Sequence, residues 1–241
     1  MKKGIQHLLI AWCCLILVPA CTNPINFGID LYELAHFQQD GSGKFEIVFS
    51  LNKACKLIAL GEYVAQVHIK FVRLLITEAF VATSKNLKKI PGISQVTVKH
   101  GANMLHFKLA FSFQDMQALN KAMNSLYLGV DPPGMIYFAM KKHIFVRKDT
   151  KSLNKLVAAY KNVDDSLIKS FDIDFFFRNM RHIVKYSFQI PINKVSNPLA
   201  NISSNRQAIM MIHYPFRKKD KHASMANTLL FKQALDKKIK P

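Results

Sequence analysis

Alternating apolar and polar residues predict a β-hairpin near the start of the chain. The second strand alternates cleanly, with apolar residues at positions 45, 47, 49 and 51, as in a strand with one buried face. The first strand, from Phe27, alternates until its phase slips at Tyr32–Glu33, which predicts a β-bulge. The run Asp40-Gly41-Ser42-Gly43 between the strands has the residues of a tight turn.

A helix is predicted over residues 54–82, which contain no proline and a single glycine. Polar residues at positions 62, 66, 70, 73 and 77 draw one narrow stripe along this otherwise apolar segment. A membrane span is the alternative, but Glu62, His68, Lys70 and Arg73 lie in its middle. Each central charge costs about 3 kcal/mol on insertion scales, so the pattern favours a helix packed against a sheet. Cys55 has no disulfide partner and is predicted to be buried there.

The rest of the chain contains further strands and shorter helices. Alternation predicts strands at 93–98, 105–113, 135–140, 143–148, 173–177 and 184–190, and a strand covered on both faces at 208–214. Asp115 has the position of an N-cap for a helix over 115–127. Helices are also predicted over 152–161 and 224–236, and a polar loop over 193–206.

These elements predict one α+β domain over residues 27–216, with a mostly antiparallel sheet of about seven to nine strands. The long helix 54–82 and one or two shorter helices are expected to pack on that sheet. The alternative is two subdomains divided near Asp131–Gly134. A basic C-terminal tail, residues 217–241, follows the domain.

The first residues have the order of an export signal. A basic pair at positions 2 and 3 precedes an apolar run from 8 to 18, which is shorter than the roughly 20 residues of a membrane span. Val18-Pro19-Ala20-Cys21 resembles a bacterial lipobox, which implies a signal peptide over 1–20, acylation of Cys21 and a tether over 21–26. Thr22 after the cysteine implies sorting to the outer membrane. The alternative is an ordinary secretory signal in which Cys21 is incidental.

The charge of the chain favours anionic partners. Its 241 residues have a formal net charge of +19, which suits phospholipid head groups, and export argues against nucleic acid. Biased codon usage in an AT-rich genome is the alternative origin of this charge. The basic residues that follow the domain are predicted to lie on anionic head groups of the anchoring membrane: Arg217, Lys218, Lys219 and Lys221.

Catalytic and metal-binding patterns are scarce. Two pairs have the Ser-x-x-Lys spacing of penicillin-binding enzymes: Ser152 with Lys155, and Ser166 with Lys169. The accompanying Lys-Thr-Gly is missing, so helix capping is favoured. Two further pairs could bind a metal, although a solvated surface is favoured for both: Asp172 with Asp174, and His100 with His106. No catalytic residue, metal site or cofactor is therefore predicted.

Several turn and packing motifs resemble those of the LppM-like class of bacterial envelope lipoproteins. They are Asp40-Gly41-Ser42-Gly43, Ile90-Pro91-Gly92-Ile93, the run Ala118-Leu119-Asn120-Lys121-Ala122-Met123-Asn124 after Phe113, and Tyr186–Pro191 with the strand 208–214. The resemblance covers most of residues 21–216. It implies a cysteine-anchored α+β domain in the cell envelope and little chemistry.

The expected function is that of a lipid-anchored, non-enzymatic envelope protein, which acts as an interaction, structural or lipid-binding module. Its partners would be the membrane, through Cys21, and an anionic lipid or another envelope protein. Lipid binding would need space in the apolar interior around helix 54–82 and strand 105–113, and an ordinary close-packed core is the competing interpretation. A hydrolase of the cell wall or of lipids is the enzymatic alternative.

Cys21→Ala is expected to abolish acylation and to release a soluble or unprocessed protein. Acyl chains contribute about 0.8 kcal/mol per buried CH₂, so several chains on one residue hold the protein more firmly than a charged patch. Cell fractionation and mass spectrometry of the mature N-terminus measure the effect. Unchanged fractionation and mass in the variant would reject lipidation.

Overall fold

The computed structural model describes residues 28–51, 69–101, 105–126, 134–148, 179–217 and 224–232. These segments form eleven strands in two sheets, and two helices. The strands are β1 (Asp30–Phe37), β2 (Gly43–Ser50), β3 (Ile93–His100), β4 (His106–Phe113), β5 (Phe138–Lys141), β6 (Ile144–Arg147), β7 (Arg181–Phe188), β8 (Ile192–Val195), β9 (Asn201–Ile202), β10 (Ala208–His213) and β11 (Asn227–Phe231). The helices are α1 (Ile69–Leu87) and α2 (Met116–Leu126).

The larger sheet has seven strands in the order β3-β4-β2-β1-β7-β10-β9. Its neighbours run antiparallel, except that β1 and β7 are parallel. The predicted hairpin at the start of the chain is confirmed, because β1 and β2 pair along their whole length. The centre of the sheet therefore joins a local hairpin to a strand from the second half of the chain.

The smaller sheet has four antiparallel strands in the order β5-β6-β11-β8. It faces the larger sheet, and aromatic rings fill the space between them. The ring centroids of Phe37 (β1) and Phe145 (β6) are 4.7 Å apart, and those of Phe188 (β7) and Phe231 (β11) are 5.1 Å apart. All four side chains are buried. One hydrophobic core thus joins the two sheets.

Both helices contact the β3–β4 end of the larger sheet. α1 continues past the predicted end at residue 82 to Leu87, because no glycine or proline interrupts the sequence before Pro91. α2 begins after Asp115, whose Oδ1 accepts a hydrogen bond from the Ala118 N–H at 2.7 Å, so the predicted N-cap is confirmed. Within the described segments, neither helix is long and apolar enough to cross a membrane.

The predicted α+β class, with one long helix packed on a single sheet, is wrong. Strands dominate the described structure, and they form two sheets. Residues 224–236, predicted as a helix, contain β11, and the predicted polar loop 193–206 contains most of β8 and all of β9. β11 pairs with β6 and β8, which lie far away in sequence. Because strand formation depends on such partners, local periodicity says little about these segments.

Two local predictions are also wrong. β1 pairs with β2 without a register shift, so the phase slip at Tyr32–Glu33 is not a bulge. It marks Glu33, a charged residue at a core position that is 3% exposed. β10 is not covered on both faces, since Met210 is 40% exposed.

Several predictions lie outside the described residues. They are the signal peptide, the tether, the start of the helix 54–82 with Cys55, the helix 152–161, the strand 173–177 and the division near Asp131.

The Asp40–Gly43 run closes the β1–β2 hairpin. The Ser42 N–H donates to Asp40 Oδ1 at 2.9 Å, and hydrogen bonds from Ser42 lower the pKa of the Asp40 carboxyl. Gly41 has a φ of +87°, which an L side chain rarely adopts. A Cβ on Gly43 would lie 2.0 Å from the carbonyl oxygen of His36. The two glycines are therefore required for different reasons.

Gly43→Ala is expected to destabilise the protein more than Gly41→Ala. The first change forces two paired strands apart and should cost about 3 kcal/mol, the upper range for overpacking. The second adds the left-handed penalty of about 1–2 kcal/mol and meets no atom within 4 Å. Urea unfolding of both variants measures the difference. Equal losses would show that the approach of β1 to β2 does not require glycine.

Candidate functional site

A charged cluster lies between the two sheets. Glu33 of β1 accepts hydrogen bonds from Arg147 of β6, at 2.9 Å from Nη2 to Oε2 and 3.3 Å from Nε to Oε1. From β7, His182 Nε2 lies 3.1 Å from Oε2, and the Tyr186 hydroxyl donates to Oε1. Arg147 also donates to the Tyr186 hydroxyl oxygen at 2.8 Å and to the Met225 carbonyl at 3.1 Å. Both sheets therefore contribute to one hydrogen-bonded network.

The electrostatics of this cluster follow from its burial. Burial alone would raise the pKa of the Glu33 carboxyl, but the charge of Arg147 and the hydrogen bond with His182 outweigh it and hold that pKa well below its usual range. Burial lowers the pKa of the Arg147 guanidinium, and Glu33 reverses this to a net rise. Burial raises the pKa of Tyr186 well above 10, so its hydroxyl is a neutral donor. The hydrogen bonds of Glu33 and Arg147 are made to partners within the core. The cluster is therefore suited to a structural role, in which it links the two sheets.

A second ion pair joins β1 to β7 on the opposite face of the larger sheet. Arg181 donates to Asp30 at 2.7 Å from Nε to Oδ1 and at 2.6 Å from Nη2 to Oδ2. The Tyr32 hydroxyl donates to the same carboxylate at 3.3 Å. The Arg181 side chain is 26% exposed, so solvent screens this pair more than the Glu33–Arg147 pair.

The sequence-predicted site residues are mostly outside the described segments. Those outside are Cys21, Ser152, Lys155, Ser166, Lys169, Asp172, Asp174, Lys218, Lys219 and Lys221. His100 and His106 lie at adjoining ends of β3 and β4, where the Gly101 N–H donates to the His106 carbonyl at 2.8 Å. Across the described segments, no three His, Cys, Asp or Glu side chains are grouped to bind a metal. The Arg217 guanidinium lies 3.8 Å from the ring centre of Tyr214, a cation–π contact.

The outer face of the smaller sheet combines apolar and basic side chains. Lys141, Ile144, Leu230 and Lys194 are paired across its four strands and therefore point to the same side. Ile144 is 43% exposed and Leu230 is 38% exposed. We call the surface that these four residues form the lysine-rimmed face. It has an apolar centre and a positive charge on each flank.

No acidic residue offsets this charge on the described segments that build the smaller sheet. Residues 134–148, 189–217 and 224–232 contain no Asp or Glu. Lys142, at the β5–β6 turn, and Lys232, directly after β11, add exposed charge beside the face. A positive surface without acidic neighbours attracts anions more strongly than a mixed one.

Side chains cover part of each edge of the smaller sheet. At the β5 edge, Asn120 of α2 accepts from the Tyr137 and Phe138 N–H groups, at 2.8 and 2.9 Å, and donates to the Phe138 carbonyl at 2.8 Å. At the β8 edge, Arg206 donates to the carbonyls of Ile192 and Asn193, at 2.7 and 2.5 Å. These contacts occupy backbone groups that another strand would need. Both edges of the smaller sheet are therefore partly covered.

An apolar groove of about 600 Å³ continues the face towards α2. Its lining includes Met116, Met135, Ile136, Met140, Ile144 and Val146, with Lys121 and Lys141. Ile136 is 49% exposed. The groove and the face share Ile144 and Lys141, so they form one amphipathic surface.

Sequence reasoning assigned the functional charge to the tail and missed the lysine-rimmed face. Two signals pointed to it. Residues 132–148 and 175–219 contain no acidic residue, and β6 begins with three consecutive apolar residues, so it is apolar on both faces. The pairing of Leu230 with both Ile144 and Lys194 could not be read from spacing, because the three strands are distant in sequence.

Arg147→Met is expected to destabilise the protein by about 3–5 kcal/mol, because it leaves the buried Glu33 carboxylate without its counterion. Adding Glu33→Gln should recover part of this loss. Arg181→Met, which removes the more exposed pair, should cost less. Urea unfolding at pH 7 measures all three.

The pH dependence tests the same cluster. The folded-state pKa of Glu33 is lowered, so its contribution is full above the unfolded-state value of about 4.3 and is lost as the pH falls below it. A Glu33→Gln chain should therefore lose less stability than the parent protein between pH 6 and pH 3. If both proteins lost the same free energy of unfolding between pH 6 and pH 3, the ionised and paired state of Glu33 would be contradicted.

Comparison with known proteins finds a structural likeness. No family model matches the sequence, and no curated protein matches it. The NMR structure of the folded domain of Mycobacterium tuberculosis LppM is similar, with a TM-score of 0.39 and 9% identity, over 86% of this chain and 91% of that chain. LppM gives its name to the class that the sequence motifs resemble, but at this identity neither the lipobox nor the Asp40–Gly43 motif is carried over from it.

Proposed function

We propose that this protein is a lipid-anchored, non-enzymatic module of the cell envelope, which places its lysine-rimmed face on an anionic bilayer surface. The row Lys141–Ile144–Leu230–Lys194 is the observation that carries the proposal. Exposed apolar side chains enter the head-group region, and lysines around them bind lipid phosphates. The outer membrane is the proposed location, on the sequence rule for Thr22.

The packing of the interior favours a surface function over a carrier function. The ring of Phe37 lies within 6.1 Å, between centroids, of five other aromatic rings. Rings at such distances fill the space between the sheets, which would otherwise be where a lipid is enclosed. The outer face of the smaller sheet, by contrast, exposes the apolar side chains of Ile144 and Leu230.

Only a short stretch of chain links Cys21 to the described domain. Six residues, 22–27, separate Cys21 from the first described residue, Gly28. The seven Cα–Cα steps from Cys21 to Gly28 span at most about 25 Å. An acylated Cys21 would keep the domain close to the bilayer, where a basic face acts within the Debye length of about 8 Å.

The charges give the expected strength of binding. Each basic residue near an anionic surface contributes about 1 kcal/mol. Removing Lys141, Lys194 and Lys232 together should therefore weaken binding roughly a hundredfold at physiological salt. Ile144 and Leu230 should add a contribution that does not depend on salt, because it comes from apolar burial.

Vesicle binding of a chain that starts at Thr22 tests the proposal without the anchor. Changing Lys141, Lys194 and Lys232 to Gln is expected to weaken binding to phosphatidylglycerol-containing vesicles but not to pure phosphatidylcholine vesicles. Ile144→Ser with Leu230→Ser should weaken binding equally at low and high salt. Co-sedimentation over a salt series measures both effects.

Matched controls remove the same charge elsewhere. Lys44, Lys99 and Lys185 are exposed on the larger sheet, and their change to Gln should have little effect. Changing Lys218, Lys219 and Lys221 to Gln tests the basic tail separately. If the larger-sheet set weakened binding as much as the face set, the attraction would come from net charge alone, and the proposed face would be rejected.

A further inference from the structure

A pocket of about 930 Å³ opens at the end of the lysine-rimmed face, beside the β5–β6 turn. It is lined by Lys141, Lys142, His143, Ile144, Asn193, Leu230, Phe231 and Lys232. Three of these residues are lysines, and none is acidic. Ile144 and Leu230 belong to the centre of the face, so the pocket is continuous with it.

The backbone fixes the basic groups around this pocket. Lys142 and His143 form a two-residue turn between the paired residues Lys141 and Ile144. The Phe231 N–H donates to the His143 carbonyl at 2.8 Å, and the Lys232 N–H donates to the Pro191 carbonyl at 2.9 Å. These bonds place Lys232 next to the turn, although it is distant in sequence.

Lys142 occupies a strained position. Its φ is +41°, and the first central residue of such a hairpin turn is ordinarily glycine. A lysine there adopts the left-handed conformation at a cost in folding stability. The turn places the Lys142 side chain in the lining of the pocket.

His143 adds an imidazole to the lining of the pocket. Its Nδ1 is a buried side-chain nitrogen that has no hydrogen-bond partner in the described segments. Buried polar atoms of this kind are rare in folded proteins and need an explanation. The imidazole of His143 therefore brings to the pocket lining a ring with hydrogen-bonding capacity that the described segments leave unused.

We infer that this pocket binds a phosphate group. The inference rests on the proposed membrane-facing function and names the chemical group that the face would recognise. Lysine ammonium groups bind phosphate as point charges, and the imidazole of His143 and the Asn193 side chain can add directed hydrogen bonds. Ile144 and Leu230 would accommodate the apolar part of a phosphate ester. The group could belong to a lipid or to a soluble ester, and the chemistry of recognition is the same.

The test uses the full mature protein in micelles of an uncharged detergent. Its probes are inorganic phosphate, glycerol 3-phosphate and dihexanoyl phosphatidic acid, with dihexanoyl phosphatidylcholine as the comparison for a shielded phosphate. The readout is the imidazole ¹⁵N resonance of His143, identified among the nine histidines by its loss in His143→Phe. Calorimetry gives the affinities.

Phosphate compounds are expected to move the His143 resonance, and phosphatidylcholine should not. Lys142→Gly should weaken their binding about fivefold, the equivalent of one basic contact. Because glycine suits the turn, this variant should keep or raise the midpoint of thermal unfolding, so its loss of affinity cannot come from misfolding. The matched control Lys99→Gln should bind as the parent protein does.

The outcomes separate the sources of the phosphate. Equal shifts with all three phosphate probes would indicate a soluble ligand, and a shift with phosphatidic acid alone would indicate a lipid; both support the site. An unmoved His143 resonance, or equal losses in Lys142→Gly and Lys99→Gln, would overturn it. Vesicle binding by the face with no movement of His143 would reject the phosphate site alone, whereas movement of His143 without vesicle binding would reject the membrane-facing function alone.

Discussion

The pair of Glu33 and Arg147 determines which face of the smaller sheet packs in the core and which face is exposed to solvent. Aromatic packing holds the two sheets together, but it is non-directional. A buried ion pair with its hydrogen bonds tolerates little displacement, since moving either partner leaves a charge unpaired. Side chains alternate along a strand, so an inward Arg147 makes Phe145 inward and Ile144 outward. The exposed apolar centre of the lysine-rimmed face is thus a consequence of the core.

The strands that sequence reasoning located are those whose pattern is complete in itself. β4 alternates through its whole length, and Asp115 caps α2 as its position predicted. A bulge was predicted in β1 because Glu33 occupies a position that is ordinarily apolar, so the alternation appears to slip. The position is explained only when Arg147 is found beside Glu33 in the core. β11 was assigned to a helix for a related reason. Its buried Asn227 accepts hydrogen bonds from the Ser196 and Asn197 backbone, and sequence cannot distinguish such an asparagine from one on a polar helix face.

The sign of the surface charge followed from composition, but its location did not. Lys141 and Ile144 belong to one hairpin and could have been paired from the sequence. Lys194 reaches the same row through β8, at the far edge of the sheet. Charge that is scattered in sequence is gathered by pairing between distant strands. Runs of basic residues in the sequence therefore indicate a basic tail, whereas the basic face becomes visible only when the strands are paired.

The position of β11 shows that part of the predicted C-terminal tail belongs to the smaller sheet. β11 lies between β6 and β8, so a chain that ends at Phe216 would lack an interior strand of the smaller sheet. Any loss of membrane binding in that chain would report a broken sheet and not a missing charge. Lys232 likewise belongs to the fold, because its N–H is bonded to the Pro191 carbonyl. The charge of this region therefore has to be tested by substitutions that leave β11 and its pairing with β6 and β8 in place.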